Sequence, residues 1–282
     1  MFERDGQIRV AGHREEAATV SEVRADRLVV AVDGGVEALS LARHGGGRAV
    51  TITVNGRDYR WRDLPADPQG QMRVAPVRPI PEVLSDALRA EPPAESGEFS
   101  ASDLMDLVGL EPTIRLDLRY ASPNNFLGHP FYSVARAQLQ RSVADAVVRA
   151  HRGLRTEGFG LVILDAYRPW YVTKAFWEAT PAESRWIVAD PARGSRHNRG
   201  CAVDVTLVDL ESGALADMPS TFDEPTPRAC AFYPGGSSLQ RWHRALLLRA
   251  MEAEGFTVND YEWWHFDHRD WPRFRIQNEP VE

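Results

Sequence analysis

Apolar residues recur along this chain with two periods, and the period changes with position. Over residues 1–75 the apolar runs are short and rich in β-branched residues: Val20–Val23, Leu28–Val32 and Val50–Val54. Asp33, Gly34 and Gly35 follow one run as a turn signal, and Asn55-Gly56 predicts a hairpin over Val50–Trp61. Residues 1–75 therefore read as a small β-rich domain. It carries no catalytic constellation, and its isolated His13 and His44 read as surface residues.

The pattern breaks next. Pro76, Pro79, Pro81, Pro92 and Pro93 leave room for at most a short helix at Glu82–Arg89, so residues 76–100 read as a linker. Beyond it the periods alternate. Leu139, Val143, Val147, Ala150 and Leu154 predict a helix over Ala135–Thr156, ended by Gly158 and Gly160. Leu161–Leu164 is a short buried strand, and Tyr171–Ala179 a helix behind Pro169. Ala202–Val208 is a strand with a turn at Asp209–Gly213. Leu239–Glu254 is an amphipathic helix with Leu239, Trp242, Leu246, Ala250 and Ala253 on one face and Gly255 as its stop. Tyr261–Phe266 is a last strand. The expected fold is α+β: a small antiparallel sheet flanked by helices over residues 101–282, preceded by the smaller β-rich domain.

Composition narrows the function. The chain has 282 residues, 43% hydrophobic and 26% charged, which suits a globular protein with a sizeable core. Its net charge is −7 with no basic block, which argues against nucleic acid as a partner. No apolar run reaches the roughly 18 residues of a membrane span. The charged start, Met1 to Gly6, lacks the apolar core of a signal peptide. Two cysteines, Cys201 and Cys230, are too few for a disulfide scaffold. A cytoplasmic location is expected. The oligomeric state is left open.

Two segments carry candidate chemistry: Ser195–Asp204 and Glu262–His265. Together they offer two imidazoles and a carboxylate, with a second carboxylate to spare. A hydrolytic zinc site uses three N/O ligands, and a nearby carboxylate can move the protons. His197 and Asp204 are seven apart, Glu262 and His265 three apart. Odd separations fall on opposite faces of a regular strand. Gly200 is expected to absorb the mismatch in the first segment, and a bulge near Trp263-Trp264 in the second. These spacings match no zinc motif of fixed local form. A hydrogen-bonded histidine and a buried, satisfied aspartate are equally compatible with them.

Five segments in order then resemble the zinc peptidases of the D-alanyl-D-alanine dipeptidase and carboxypeptidase family, the dipeptidase branch above all. They are Leu116–Gly128, Gly158–Pro169, Ser195–Asp204, Ser220–Asp223 and Glu262–Phe266, within residues 103–275. The resemblance implies one zinc per chain on His197, Asp204 and His265, with Glu262 as general base and acid. It implies Arg168 as stabiliser of the oxyanion, and Tyr120 and Ser195 as substrate contacts. Asp223 would hold the free ammonium of a small dipeptide, most simply D-Ala-D-Ala. The pattern departs at Met218-Pro219, where the family commonly has Met-Gly, and Glu224–Ser238 is rich in Pro and Gly. Another short peptide or amide as substrate, or a zinc-bearing binding module without catalysis, are the competing readings. Cys201 reads as a small packing residue and His243 as a helix-surface residue. His268 is open between a structural role and a place beside the ligands.

Overall fold

In the computed structural model, residues 72–281 are described in full and the first seventy-one as the backbone of their strands. The chain divides into two compact units, Met1–Leu64 with Phe232–Pro234, and Pro65–Ala231 with Gly235–Glu282. The first is an antiparallel meander in chain order: β1 (Phe2–Arg4), β2 (Gln7–Val10), β3 (Glu16–Val23), β4 (Arg27–Val32), β5 (Gly35–Arg43), β6 (Ala49–Val54) and β7 (Arg57–Arg60). Pairing of Val54 with Arg57 closes the expected hairpin. Its turn residues, like His13 and His44, lie outside the described residues.

The second unit is built on a five-stranded sheet. Helix α1 (Ile80–Leu88) comes first, then β8 (Leu104–Asp106), the one-turn α2 (Leu107–Leu110), β9 (Arg115–Leu116) and β10 (Gln138–Gln140). Helix α3 (Arg141–Arg155), β11 (Phe159–Asp165), α4 (Trp170–Ala179), β12 (Ala202–Asp209), α5 (Ser238–Ala253), β13 (Phe256–Asn259) and β14 (Glu262–His268) follow. The order is β13-β14-β12-β11-β9, and β8 pairs with β10 apart from it. The pairs from β11 to β13 are antiparallel, but β9 joins the edge parallel to β11. The sheet is therefore mixed rather than purely antiparallel. All seven residues of β11 are buried, as a central strand covered on both faces requires.

Helix α3 starts at Arg141, later than its apolar period begins, because Gln138–Gln140 pairs with β8 first. Gln140 is extended, and its buried side chain accepts from the Asp103 amide at 2.9 Å and donates to the Arg199 carbonyl at 3.0 Å. Helix α3 buries Val143, Ala144, Val147 and Leu154 on β11. Helix α5 is rotated from expectation. Ser237 and Gln240 form a capping box that sets its start. It buries His243, Leu246, Leu247 and Met251, leaving Leu239 exposed and Trp242 44% exposed. His243 is thus a core residue rather than a surface one, with Nδ1 2.9 Å from the Asp217 carbonyl.

The stretch 76–100 does not behave as a linker. Pro79 and Pro81 flank the start of α1, where a missing N–H costs little. Val83 and Ala87 are fully buried, and the helix packs on α4. Among the described residues no helix is long and apolar enough to cross a membrane.

Candidate active site

Strand pairing supplies the first two candidate ligands. Asp204 on β12 and His265 on β14 are direct cross-strand partners. The third, His197, opens a single 3-10 turn, His197–Arg199, which Gly200 closes with φ of 65°. A side chain at 200 would be strained there, and its Cβ would lie 2.6 Å from the Leu104 Cδ2 atom. This reversal takes up the odd spacing of the first segment. In the second, pairing with β13 passes from Val258–Phe266 to Asn259–Glu262, so Trp263, Trp264 and His265 face no β13 partner. Both tryptophans are buried.

The three side chains point inward at one another. His197 Nε2 is 3.2 Å from His265 Nδ1 and 3.4 Å from Asp204 Oδ1, and His265 Nδ1 is 3.0 Å from Asp204 Oδ1. A tetrahedron with metal–ligand bonds of about 2.0–2.1 Å has edges of about 3.3 Å, so the donor set fits a zinc-sized ion. The outer ring nitrogens are occupied. His197 Nδ1 donates to the Ala166 carbonyl at 2.7 Å, and His265 Nε2 donates to Asp267 at 3.0 Å. Each bond fixes a tautomer that turns the other nitrogen toward the centre. This is the one such cluster of His, Cys, Asp or Glu found among the described residues.

The electrostatics suit a cation. Burial alone would push the Asp204 carboxyl up, but His197 and His265 outweigh it and hold its pKa below the ordinary range. Burial pulls His265 down, yet Asp267 and Asp204 raise it well above the ordinary imidazole value.

Glu262 stands beside this centre. Its Oε2 is 3.8 Å from His265 Nδ1 and accepts from Asn259 Nδ2 at 3.0 Å. Burial pushes its pKa up, His265 pulls it back, and the Asp204 carboxylate adds to the rise.

Arg168 follows β11 and lies on aromatic walls, 5.0 Å from the ring centroids of both Tyr120 and Phe176. Its guanidinium donates to Asp165, a fully buried acid that also accepts from the Tyr132 hydroxyl at 2.7 Å. A register shift between Ile163 and Asp165 sets Asp165 at the end of β11, paired with Asp204. Burial would lower the Arg168 pKa; Asp165 more than offsets it, and the side chain stays charged. The Arg168 amide donates to the His197 carbonyl at 3.1 Å. Asn198 Nδ2 returns a bond to the Arg168 carbonyl at 2.8 Å.

Tyr120 and Asp223 meet, with the Tyr120 hydroxyl donating to Asp223 Oδ2 at 3.2 Å. Asp223 has φ of 58°, the left-handed region that a non-glycine residue enters at a cost of order 1–2 kcal/mol. Its loop is tied to β14: Trp263 Nε1 donates to Ser220 Oγ at 2.8 Å, and the tilted rings of Phe222 and Trp264 lie 5.3 Å apart. Burial raises the Asp223 pKa well above the carboxylate range, with Asp204 and Glu262 adding repulsion. Ser195 Oγ accepts from the His197 amide at 3.2 Å, so this hydroxyl also shapes the turn.

Cys201 is buried behind the turn, its thiol pushed up to about 12 by burial, and is no part of the cluster. His268 is a structural residue: it is buried against Phe256, and its Nδ1 accepts from the Asp270 amide at 3.2 Å. Sequence reasoning passed over Asp165, Asp267, Tyr132 and Asn259. For Asp165 a signal existed, an acid three residues before Arg168 at the end of an apolar run.

Comparison with known proteins gives one consistent result. Residues 100–279 match the family described as D-ala-D-ala dipeptidase. The D-alanyl-D-alanine dipeptidase of Escherichia coli K12 is 36% identical over 166 residues, covering 59% of this chain and 84% of its own length. The Enterococcus faecium protein of the same name is 34% identical over 177 residues, 56% of this chain and 88% of its own. A third, from Enterococcus faecalis, is 31% identical over 180 residues, with the same coverage.

Proposed function

Because this chain belongs to the D-Ala-D-Ala dipeptidase family, we propose that it is a zinc metallopeptidase hydrolysing D-alanyl-D-alanine to two D-alanines. The carrying observation is the convergence of His197 Nε2, Asp204 Oδ1 and His265 Nδ1, with Glu262 alongside. These three atoms would hold one zinc per chain. When bound, zinc supplies Lewis-acid polarisation of the scissile carbonyl and acidifies water.

The chain's own groups do the rest. Glu262 takes a proton from the attacking water and returns it to the leaving amine nitrogen as the C–N bond breaks. Arg168, held charged by Asp165, stabilises negative charge developing on the carbonyl oxygen. Asp223, with Tyr120 beside it, holds the substrate's ammonium group, and the Ser195 hydroxyl adds a polar contact. A fixed carboxylate for the N-terminus restricts the enzyme to very short peptides. Both cysteines are unpaired, which suits a reducing compartment, and the proposal places the protein in the cytoplasm.

The test strips the metal, restores zinc and measures release of free D-alanine. Fully loaded protein that releases none overturns the proposal. A second reading keeps the chemistry and changes the substrate to another short peptide or amide. Pro219 and the Pro- and Gly-rich loop after Asp223 favour it, because they depart from the family pattern on either side of that residue in the sequence. A panel of L,L-, L,D- and D,D-dipeptides separates the two, and a uniform preference for D,D ends the second.

A further inference from the structure

Residues 72–99 precede the stretch that matches the family, yet they are laced into the same compact unit. Val74 N donates to the Phe126 carbonyl at 2.8 Å, Val77 N to the Ala179 carbonyl at 2.9 Å, and α1 packs on α4. The segment then reaches the turn that carries His197. Glu95 Oε1 lies 2.5 Å from Arg199 Nη2, with the two side chains only 17% and 11% exposed. The other Glu95 oxygen accepts from the Ile276 amide at 2.7 Å. Arg199 also donates to the Phe274 carbonyl and lies 5.4 Å from the Trp271 ring centroid. One carboxylate therefore joins the strap, the His197–Arg199 turn and the C-terminal tail.

We propose that Glu95 is a positioning residue for the metal centre, fixing Arg199 and through it the turn from which His197 reaches inward. The proposal rests on reading His197 as a metal ligand. A 3-10 turn of three residues has little stability of its own, so its shape must come from outside. On one side His197 is anchored to the Ala166–Arg168 segment. On the other, Arg199, two residues on, is held through its carbonyl by Gln140 and through its side chain by Glu95. Without Glu95 a mostly buried guanidinium loses its carboxylate, and its drift toward water would rotate the turn.

The test uses the full chain with Glu95→Ala and Glu95→Gln, the second keeping a neutral acceptor of the same shape. Zinc affinity is read by competition with a chromophoric chelator, ligand geometry by the visible spectrum of cobalt-substituted protein, and stability by the Tm of the metal-free form. The expected result is zinc binding weakened about tenfold or more in E95A, with an altered cobalt spectrum and E95Q intermediate. Unchanged zinc affinity and an unchanged cobalt spectrum, whatever the Tm does, would overturn the proposal. If E95A does not fold, the same two readouts on E95Q decide. Wild-type protein that takes up no zinc overturns the metal-ligand reading, and this proposal with it.

Discussion

Asp165 holds Arg168 through one carboxylate oxygen, which accepts from Nε at 3.0 Å and from Nη2 at 2.7 Å. Both partners are buried, so breaking the pair leaves an uncompensated charge. Asp165→Asn is expected to lower stability by about 3–5 kcal/mol. It should also cut kcat by about tenfold or more as the guanidinium loses its aim. Urea unfolding and steady-state kinetics check both; unchanged kcat in a folded variant would show that Arg168 needs no such anchor.

Glu262 is a part-exposed neighbour of the ligands rather than a member of the cluster. Glu262→Gln should therefore keep its full zinc content while losing roughly two or more decades of kcat. Metal analysis alongside D-alanine release distinguishes this outcome from a loss of metal.

Removing the metal should abolish activity and lower the Tm, and stoichiometric zinc should restore both. Zinc at a hundred times its dissociation constant stabilises by about 2.7 kcal/mol. His197→Ala should show neither response. A Tm indifferent to zinc in the wild type would count against the centre.

Asp223→Asn should raise KM for a free dipeptide by tenfold or more, since a charge-assisted contact contributes about 1.5–3 kcal/mol. An N-acetylated dipeptide, which has no ammonium, should be a poor substrate for the wild type and no poorer for the variant. Equal loss on both substrates would assign Asp223 to loop structure alone.

Acid should weaken the fold through His151. This residue is buried, with Nδ1 accepting from the Leu161 amide at 3.0 Å. Burial holds its pKa below the ordinary imidazole value. The unfolded chain then binds the proton more readily, so stability falls as pH drops through about 6.5 and levels off below the folded-state pKa. His268 is lowered by burial too and acts with the same sign. His151→Gln should flatten the dependence of unfolding free energy on pH between 7 and 5. An unchanged slope would exclude His151 as a source.

Much of the second unit was legible in the sequence because periodicity survives where one face is buried. The apolar period in α3 and the apolar runs of β11 and β12 read directly. The two irregularities also announced themselves, since odd ligand spacings require a kink, and Gly200 and the Trp263–His265 bulge provide it. What failed were features set by tertiary partners. Short β10 displaces the start of α3 because β8 is there to pair with it. Trp242 was expected inside, but α5 turns His243 and Leu247 to the core instead. The proline-rich stretch read as a linker because local propensity cannot report that α4 offers a surface for Val83 and Ala87. Asp165 and Asp267 carry no ligand spacing of their own; only the fold brings them to Arg168 and His265.

Asp204 and His265 meet solely because β12 and β14 pair in one register. They stand 61 positions apart along the chain. A slip of one residue would turn either side chain to the opposite face of the sheet. A zinc ion on the proposed site would therefore need the two strands paired first, unlike the ion in small domains that fold around zinc. Metal uptake during refolding should then follow sheet assembly, and misregistered molecules should fail to retain zinc.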